Sequence, residues 1–272
     1  MSELLKYFEN IPSSHRTFFL FSGLALFLLW EFVLPSLRFS YNKWRHAGVN
    51  IFFTLTTAVV NLSLAVLLVA SAHHVSEIQF GLLHLVDLPI WLNVIIGLLL
   101  LDLIGAYFVH WVEHKVPVLW RFHIIHHTDK HVDTTTANRH HPGESVVRLL
   151  FTILAIWISG ASLGLVLLYQ SLSVLLSQFN HANIQLPSWL DSVLRLVIVT
   201  PAMHRIHHHY QMPITDTNYG NIFSIWDRIF GTYIRVPESE LVFGLDTHFD
   251  KKDADDIWRM LKIPFVRKKT PN

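Results

Sequence analysis

This sequence predicts an all-α fold: a multi-span helical membrane protein with a histidine-rich helical cap on its cytoplasmic side. Three observations lead there. Hydrophobic residues fill 51% of the 272 positions against 15% charged, with a mean hydropathy of +0.38. Several apolar runs are long enough to cross about 30 Å of hydrocarbon at 1.5 Å per residue. Thirteen of the nineteen histidines fall between His110 and His209, in stretches that follow those runs.

The spans are taken in chain order. Residues 17–35 form the first, with Glu31 as its only charge. Its length and position do not suit a cleaved signal peptide, and no small-residue cleavage site follows it. Residues 49–72 carry no charge and form the second. Between these two lie Arg38, Lys43 and Arg45, whereas 73–89 contains neither Lys nor Arg, so the positive-inside rule makes the first connection cytoplasmic. Residues 90–109 run inward as a third span, interrupted by Asp102, whose cost in lipid requires it to face the bundle or a site. They deliver His110 to the cytoplasmic surface, in keeping with Lys115, Arg121, Lys130 and Arg139 beyond it. A single helix over 146–179 would run about 50 Å, too long for one crossing. Ser159, Gly160, Ala161, Ser162 and Gly164 supply small residues midway, so a helical hairpin that enters and returns is expected. An even number of crossings keeps all the histidine clusters in one compartment. The rest, 210–272, reads as a polar cytoplasmic tail. No repeat or second boundary is evident, and 1–272 forms a single integral-membrane domain. The end of the chain, Lys268-Lys269-Thr270-Pro271-Asn272, carries no retrieval signal, which favours a bacterial inner membrane over the endoplasmic reticulum.

Composition also excludes. A formal net charge of +1, with no basic stretch interleaved with aromatics, argues against nucleic acid as a partner. The absence of cysteine removes disulfides, iron–sulfur clusters and thiolate-bound metals, so any metal must be held by nitrogen and oxygen.

Spacing converts the histidines into geometry. His110 and His114 stand at i and i+4 and share a helix face. His123, His126 and His127 follow H-x-x-H-H, again on one face, and His204, His207 and His208 repeat that pattern. Eight imidazoles on three helical surfaces suit two metal ions with about four nitrogens each, because neutral imidazole is a common ligand for transition metals. His181 is a ninth candidate, since it emerges from the hairpin on the same side. The string His110-Trp111-Val112-Glu113-His114 also fits the inverted zinc-protease pattern, with Glu113 as general base. That reading, a zinc-dependent membrane hydrolase, leaves the other clusters without a task. A histidine-rich metal-binding or transport protein is a third reading, but it would place ligands within the spans or in a flexible loop rather than at fixed helical intervals.

With these three boxes the chain resembles the fatty acid hydroxylase / sterol desaturase superfamily of integral-membrane di-iron oxygenases. The likeness extends over about 102–233. It includes Leu119-Trp120-Arg121-Phe122-His123, Arg139-His140-His141-Pro142-Gly143-Glu144, His181-Ala182-Asn183-Ile184, Thr217-Asn218-Tyr219-Gly220-Asn221 and the run from Ser224 to Tyr233. The resemblance implies a catalytic region carrying two iron ions, for which zinc can substitute, and O₂ as co-substrate. It implies hydroxylation or desaturation of a C–H bond in a membrane lipid, whether sterol, fatty acyl or related. Soluble di-iron proteins use Glu-x-x-His pairs, and this chain has none. Nor does it contain a nucleotide-binding glycine fingerprint, a haem motif or a ferredoxin cysteine pattern, so electrons must come from a separate donor, either cytochrome b5-like or a ferredoxin with its reductase.

Supporting positions carry alternatives. His140 and His141 are expected to support the ligands rather than bind metal. Asp129, Asp133 and Asp227 are candidates to accept the remaining N–H of ligand imidazoles, with a salt bridge to Arg228 as the other reading of Asp227. Asn218 and Tyr219 either reach the metal pocket or shape a turn before Gly220. His209 points off the ligand face and is expected at the surface, and His15, His46, His73, His74, His84 and His248 are not expected to be ligands. A hydrophobic tunnel is expected to lead the lipid to the metals.

Overall fold

The computed structural model describes residues 1–248 and 250–266; the expectation about a retrieval signal at 268–272 falls outside them. Among the described residues the chain is helical, with three isolated bridges and no strand. A short amphipathic helix α1 (Ser2–Glu9) precedes α2 (Ser13–Val33) and α3 (Lys43–Glu77). Next, α4 (Ile90–Asp102) runs through a π-helical turn, Leu103–Phe108, into α5 (Val109–Lys115) as one continuous rod. After α6 (Pro117–His127) come α7 (Pro142–Ser159) and α8 (Leu163–His181). Five of these units, α2, α3, the α4–α5 rod, α7 and α8, are long and apolar enough to cross a membrane.

The third of these outruns the 90–109 expected, because nothing stops the helix before Val116, which turns extended ahead of Pro117. His110 and His114 therefore sit on the last turns of the span itself. Stretch 146–179 is two helices. Gly160 ends α7 in the left-handed conformation (φ 78°), and Ser162 caps α8 by accepting from the Leu165 N–H. No side chain fits at Gly160: a Cβ there would lie 2.6 Å from the Phe80 carbonyl and 2.7 Å from the His84 ring. That close approach fixes the turn against the loop that follows α3. The pair leaves from the histidine clusters and returns to them, since Glu144 in the first turn of α7 bonds His123 and His181 at the end of α8 lies against His126.

The largest core cluster joins α3, α4, α7 and α8 through Leu68, Ala72, Val94, Leu101, Leu149, Ile156 and Leu165. Two buried carboxylates tie this bundle to the cap. Glu31 on α2 accepts from the Thr134 N–H and hydroxyl (2.7 and 2.6 Å) and from the Asn183 N–H (2.7 Å). Asp102, fully buried, accepts from the Ile222 and Phe223 N–H groups and the Trp226 indole, and so faces the bundle. The cap consists of α6, α9 (Ser188–Leu194), α10 (Pro201–His207), α11 (Ile225–Ile229), α12 (Lys251–Asp255) and α13 (Ile257–Lys262). Proline opens α6, α7 and α10, where its missing N–H has no helical partner to lose. The polar tail expected from residue 210 onward is instead partly interior: Thr215, Asn218, Tyr219 and Asp227 are all buried.

Candidate metal centre

Nine imidazoles, from the four helices α5, α6, α8 and α10, meet in two groups. His110, His114, His123, His127 and His207 form one; His126, His181, His204 and His208 form the other. All nine are buried. Each group has a hub. The Nε2 of His123 lies 3.1 Å from the Nε2 atoms of His110 and of His127, and the Nε2 of His181 lies 3.1 Å from those of His126 and of His204. Because α6 carries H-x-x-H-H, its one face serves both groups, His123 and His127 the first and His126 the second. On α10 the same pattern sends His207 to the first group and His204 and His208 to the second.

Where the ring protons go tests whether these groups fit metal ions. His110 Nδ1 donates to the Tyr219 carbonyl (2.8 Å), His114 Nδ1 to Asp216 (3.1 Å), His123 Nδ1 to Glu144 (2.7 Å) and His207 Nδ1 to the Thr217 carbonyl (2.8 Å). His181 Nδ1 donates to the Ser177 carbonyl (2.8 Å). A neutral imidazole has one N–H, so these five rings turn bare Nε2 lone pairs inward. Between His110 and His123 two lone pairs face each other at 3.1 Å, which is repulsive unless a cation lies between the rings. The distance suits such an ion: two nitrogens each about 2.1 Å from one metal and at right angles stand about 3.0 Å apart. Further buried nitrogens have no protein partner, including His114 Nε2, His207 Nε2 and both nitrogens of His208. Burial drives His126, His127, His204, His207 and His208 well below the usual imidazole range, and neighbouring rings lower them further. It takes His123 to about 3 despite Glu144. Neutral imidazole is the form that binds metal, and the residues fit two metal ions.

Other expected positions are distributed less simply. Asp129 does not hold any of the nine rings. It accepts from His46 Nε2 (2.8 Å) and the Thr136 hydroxyl, because α3 brings the buried His46 beside it. Asp133 likewise faces His46 and the Tyr41 hydroxyl. His141 caps α7 and packs against Phe122, away from the clusters, while its neighbour His140 stacks on His126 with ring centres 4.9 Å apart. Asp227 reaches a ligand only indirectly. It accepts from the N–H groups of Tyr219 and Gly220 and so fixes the loop whose Tyr219 carbonyl holds His110. Its expected neighbour Arg228 goes instead to Ser224 and the Arg195 carbonyl. Asn218, at φ 52°, makes the turn; Tyr219 reaches the centre, its ring within 5.5 Å of the rings of His110, His114 and His207. His209 is buried rather than exposed, because Val242 and Phe243 fold over it.

Asp216 and Arg148 escaped the sequence reading. Asp216 holds His114 and is also bonded by Lys115; burial raises its carboxyl, and these bonds outweigh that to hold it below the ordinary range. Arg148 donates to both Glu144 and Glu113 (2.9 and 2.7 Å) and locks Glu144 against His123. The only available signal was spacing, since Arg148 follows Glu144 by one helical turn; Asp216 is brought in by a loop and has none. Replacing Asp216 with alanine is expected to weaken metal binding about 10- to 100-fold. Chelator competition on the purified protein reads this, and unchanged retention would show that Asp216 does not orient His114.

A cavity of about 500 Å³ ends beside the second group, at His140, Ser177 and Asn221, and runs between α3, α7 and α8 toward Arg16. It is not the wholly hydrophobic tunnel expected, since Asn61, Thr152 and Gln170 share its wall with Leu68, Val69 and Leu149.

Comparison with known proteins agrees with this arrangement. The family model described as fatty acid hydroxylase matches residues 94–232, and the chain belongs to that family. Ornithine lipid hydroxylase OlsE of Rhizobium tropici is 27% identical over 180 residues, covering 66% of this chain and 52% of its own length. The alkylglycerol monooxygenase of Danio rerio is 30% identical over 235 residues, 81% of this chain and 48% of its own. A cholesterol 25-hydroxylase-like protein of Danio rerio is 31% identical over 139 residues, 50% of this chain and 53% of its own. The chain thus spans about half the length of these curated relatives. No solved structure matches it.

Proposed function

We propose that this chain is a membrane-bound, O₂-dependent lipid hydroxylase that holds two iron ions in its two imidazole groups and takes electrons from a separate donor. One observation carries the reading: nine buried imidazoles, three of them on the last turns of membrane-spanning helices, converge in two sets, and five of them give their ring protons outward and turn bare nitrogens inward. Iron is preferred to zinc because of the reaction, since imidazole suits both. Hydroxylation is preferred to desaturation because the relatives are named hydroxylases and monooxygenases. The basic residues of the connection that flanks the centre support a cytoplasmic placement, and the bacterial relative supports an inner membrane.

The bound ions would supply the activation of O₂, one oxygen atom entering a lipid C–H bond and the other leaving as water with two electrons and two protons from outside. This chain's residues do the rest. Glu144, Asp216 and the carbonyls of Ser177, Thr217 and Tyr219 fix the ring orientations. The burial of all nine rings keeps bulk water away. The cavity leads a lipid to the second group from within the bilayer. A hydrolase would need Glu113 near a metal-bound water. Glu113 instead accepts from Arg148 and lies on the Nδ1 side of His123, behind the ligand.

Mass spectrometry of lipid extracts from cells expressing the wild type or His126→Ala tests the reading. A lipid species heavier by one oxygen atom is expected in the wild type and absent in the variant. Identical extracts, under conditions where both proteins accumulate and a reductant system is present, would count against it.

A further inference from the structure

Among the polar side chains of the membrane-spanning helices, Arg16 near the start of α2, Asn61 in the middle of α3 and Gln170 in the middle of α8 have no hydrogen-bond or ion-pair partner among the described residues. Unsatisfied polar groups are costly in hydrocarbon. All three line the one cavity that ends at His140 beside the centre. An arginine at the start of a span ordinarily extends to the membrane surface. Here Arg16, exposed like Asn61, shares the wall of this cavity with Leu167, Gln170 and Val174 of α8.

Depth follows from helix rise. Gln170 precedes His181 by eleven residues on α8, and Asn61 follows Asn50, which bonds the cap residues Thr135 and Arg139, by eleven on α3. Both place the polar end about 16 Å from the centre at 1.5 Å per residue. Charge is equally one-sided. The cavity wall contains no Asp or Glu, and of its two arginines Arg148 is paired with Glu113 and Glu144 while Arg16 is not. Arg16 and Asn61 also lie outside residues 94–232, so the family match does not account for them.

We infer that this cavity is the site of a single-chain amphiphile with an anionic head, a carboxylate or phosphate held by Arg16 with Asn61 and Gln170 as hydrogen-bonding partners. Its chain runs toward the histidine centre, which sets the oxidised carbon about 16 Å from the head. The cavity volume of about 500 Å³ is of small-ligand size and suits one chain better than a two-chained lipid. The substrate class, but not the binding site, rests on the oxygenase reading.

Equilibrium binding of radiolabelled hexadecanoate to the full chain in detergent micelles, without O₂ or reductant, tests the site apart from turnover. Hexadecyl phosphate and methyl hexadecanoate serve as unlabelled competitors and distinguish the two anionic heads from a neutral one. At least one anionic competitor is expected to displace the label at a concentration about tenfold or more below that needed with the ester, as loss of a charge-assisted pair implies. Arg16→Gln is expected to abolish that preference and Arg16→Lys to keep part of it, with metal content unchanged in both. Equal displacement by ester and anions in the wild type overturns the proposal whether or not the variants fold, as does an Arg16→Gln protein that retains the preference. Anion-selective binding with no oxidised product from any bound lipid would leave this site standing and remove the oxygenase reading instead.

Discussion

Replacing His204 with alanine is expected to empty the four-imidazole group and leave the five-imidazole group filled, whereas His207→Ala leaves four imidazoles in its own group and is expected to loosen that ion without emptying the group. The two residues are one turn apart on α10, and both are buried. Their local costs of truncation are therefore similar, and what differs is the group each joins. His207 gives Nδ1–H to the Thr217 carbonyl and turns Nε2 toward the set that contains His110 and His127. His204 places Nε2 3.1 Å from that of His181, the hub of the other set. Metal content measured on the purified variants is expected to fall from about two ions per chain to about one in His204→Ala, and in His207→Ala to stay near two until a chelator removes the weakened ion, since about four imidazoles suffice for one ion. Lipid oxidation falls to background in His204→Ala, because the proposed chemistry needs the pair. Retention of both ions by His204→Ala, or a His207→Ala protein that holds both as tightly as the wild type, would break the ligand assignment. Loss of both ions from each would show one cooperative cluster in place of two sites.

Much of this centre was readable in advance because helical spacing is local. An i, i+3, i+4 pattern fixes which rings share a face before any tertiary contact is known, and His126 and His127 point to different groups only because adjacent residues on α6 diverge by about 100°. Five long apolar helices were legible for a similar reason, since hydrocarbon thickness sets span length. What the sequence hid is what long-range packing decides. Asp129 looked suited to a ligand ring, but α3 crosses the cap and delivers His46 to it, a partner 83 residues away. Asp216 and the carbonyls of Thr217 and Tyr219 reach the rings from a loop with no periodicity to read. Even the tail was misjudged by its polarity. Its polar groups are interior because they are spent on one another and on the ligands, as Asn218 shows by bonding the Met203 and Ile234 carbonyls.

The largest expected loss of stability comes from Arg139→Leu, three residues before α7 and outside both imidazole groups. Arg139 is fully buried. Its guanidinium donates to the Ile125 carbonyl (3.0 Å), Asn50 Oδ1 (2.8 Å), the Thr128 hydroxyl (3.0 Å) and the Ala254 carbonyl (2.7 Å), and stands 3.8 Å from Asp129. One side chain thus joins α3, the end of α6 and α12. Leucine restores none of these donors; it leaves buried acceptors unpaired and removes the guanidinium that stands 3.8 Å from the Asp129 carboxylate. His46 still faces that carboxylate, which softens the loss but does not replace the fork. Breaking such a buried charge network costs about 3–5 kcal/mol, which lowers the thermal midpoint by on the order of 10 °C for a chain of this size. Thr128→Val, which removes a single hydroxyl from the same network, is expected to cost about 1 kcal/mol. Ile125 and Thr128 flank His126 and His127, so Arg139→Leu is also expected to loosen metal binding at temperatures below unfolding. Thermal unfolding in detergent, followed together with metal release, measures both effects. An Arg139→Leu midpoint no lower than that of Thr128→Val would mean that the cap is held by its apolar contacts and not by this arginine.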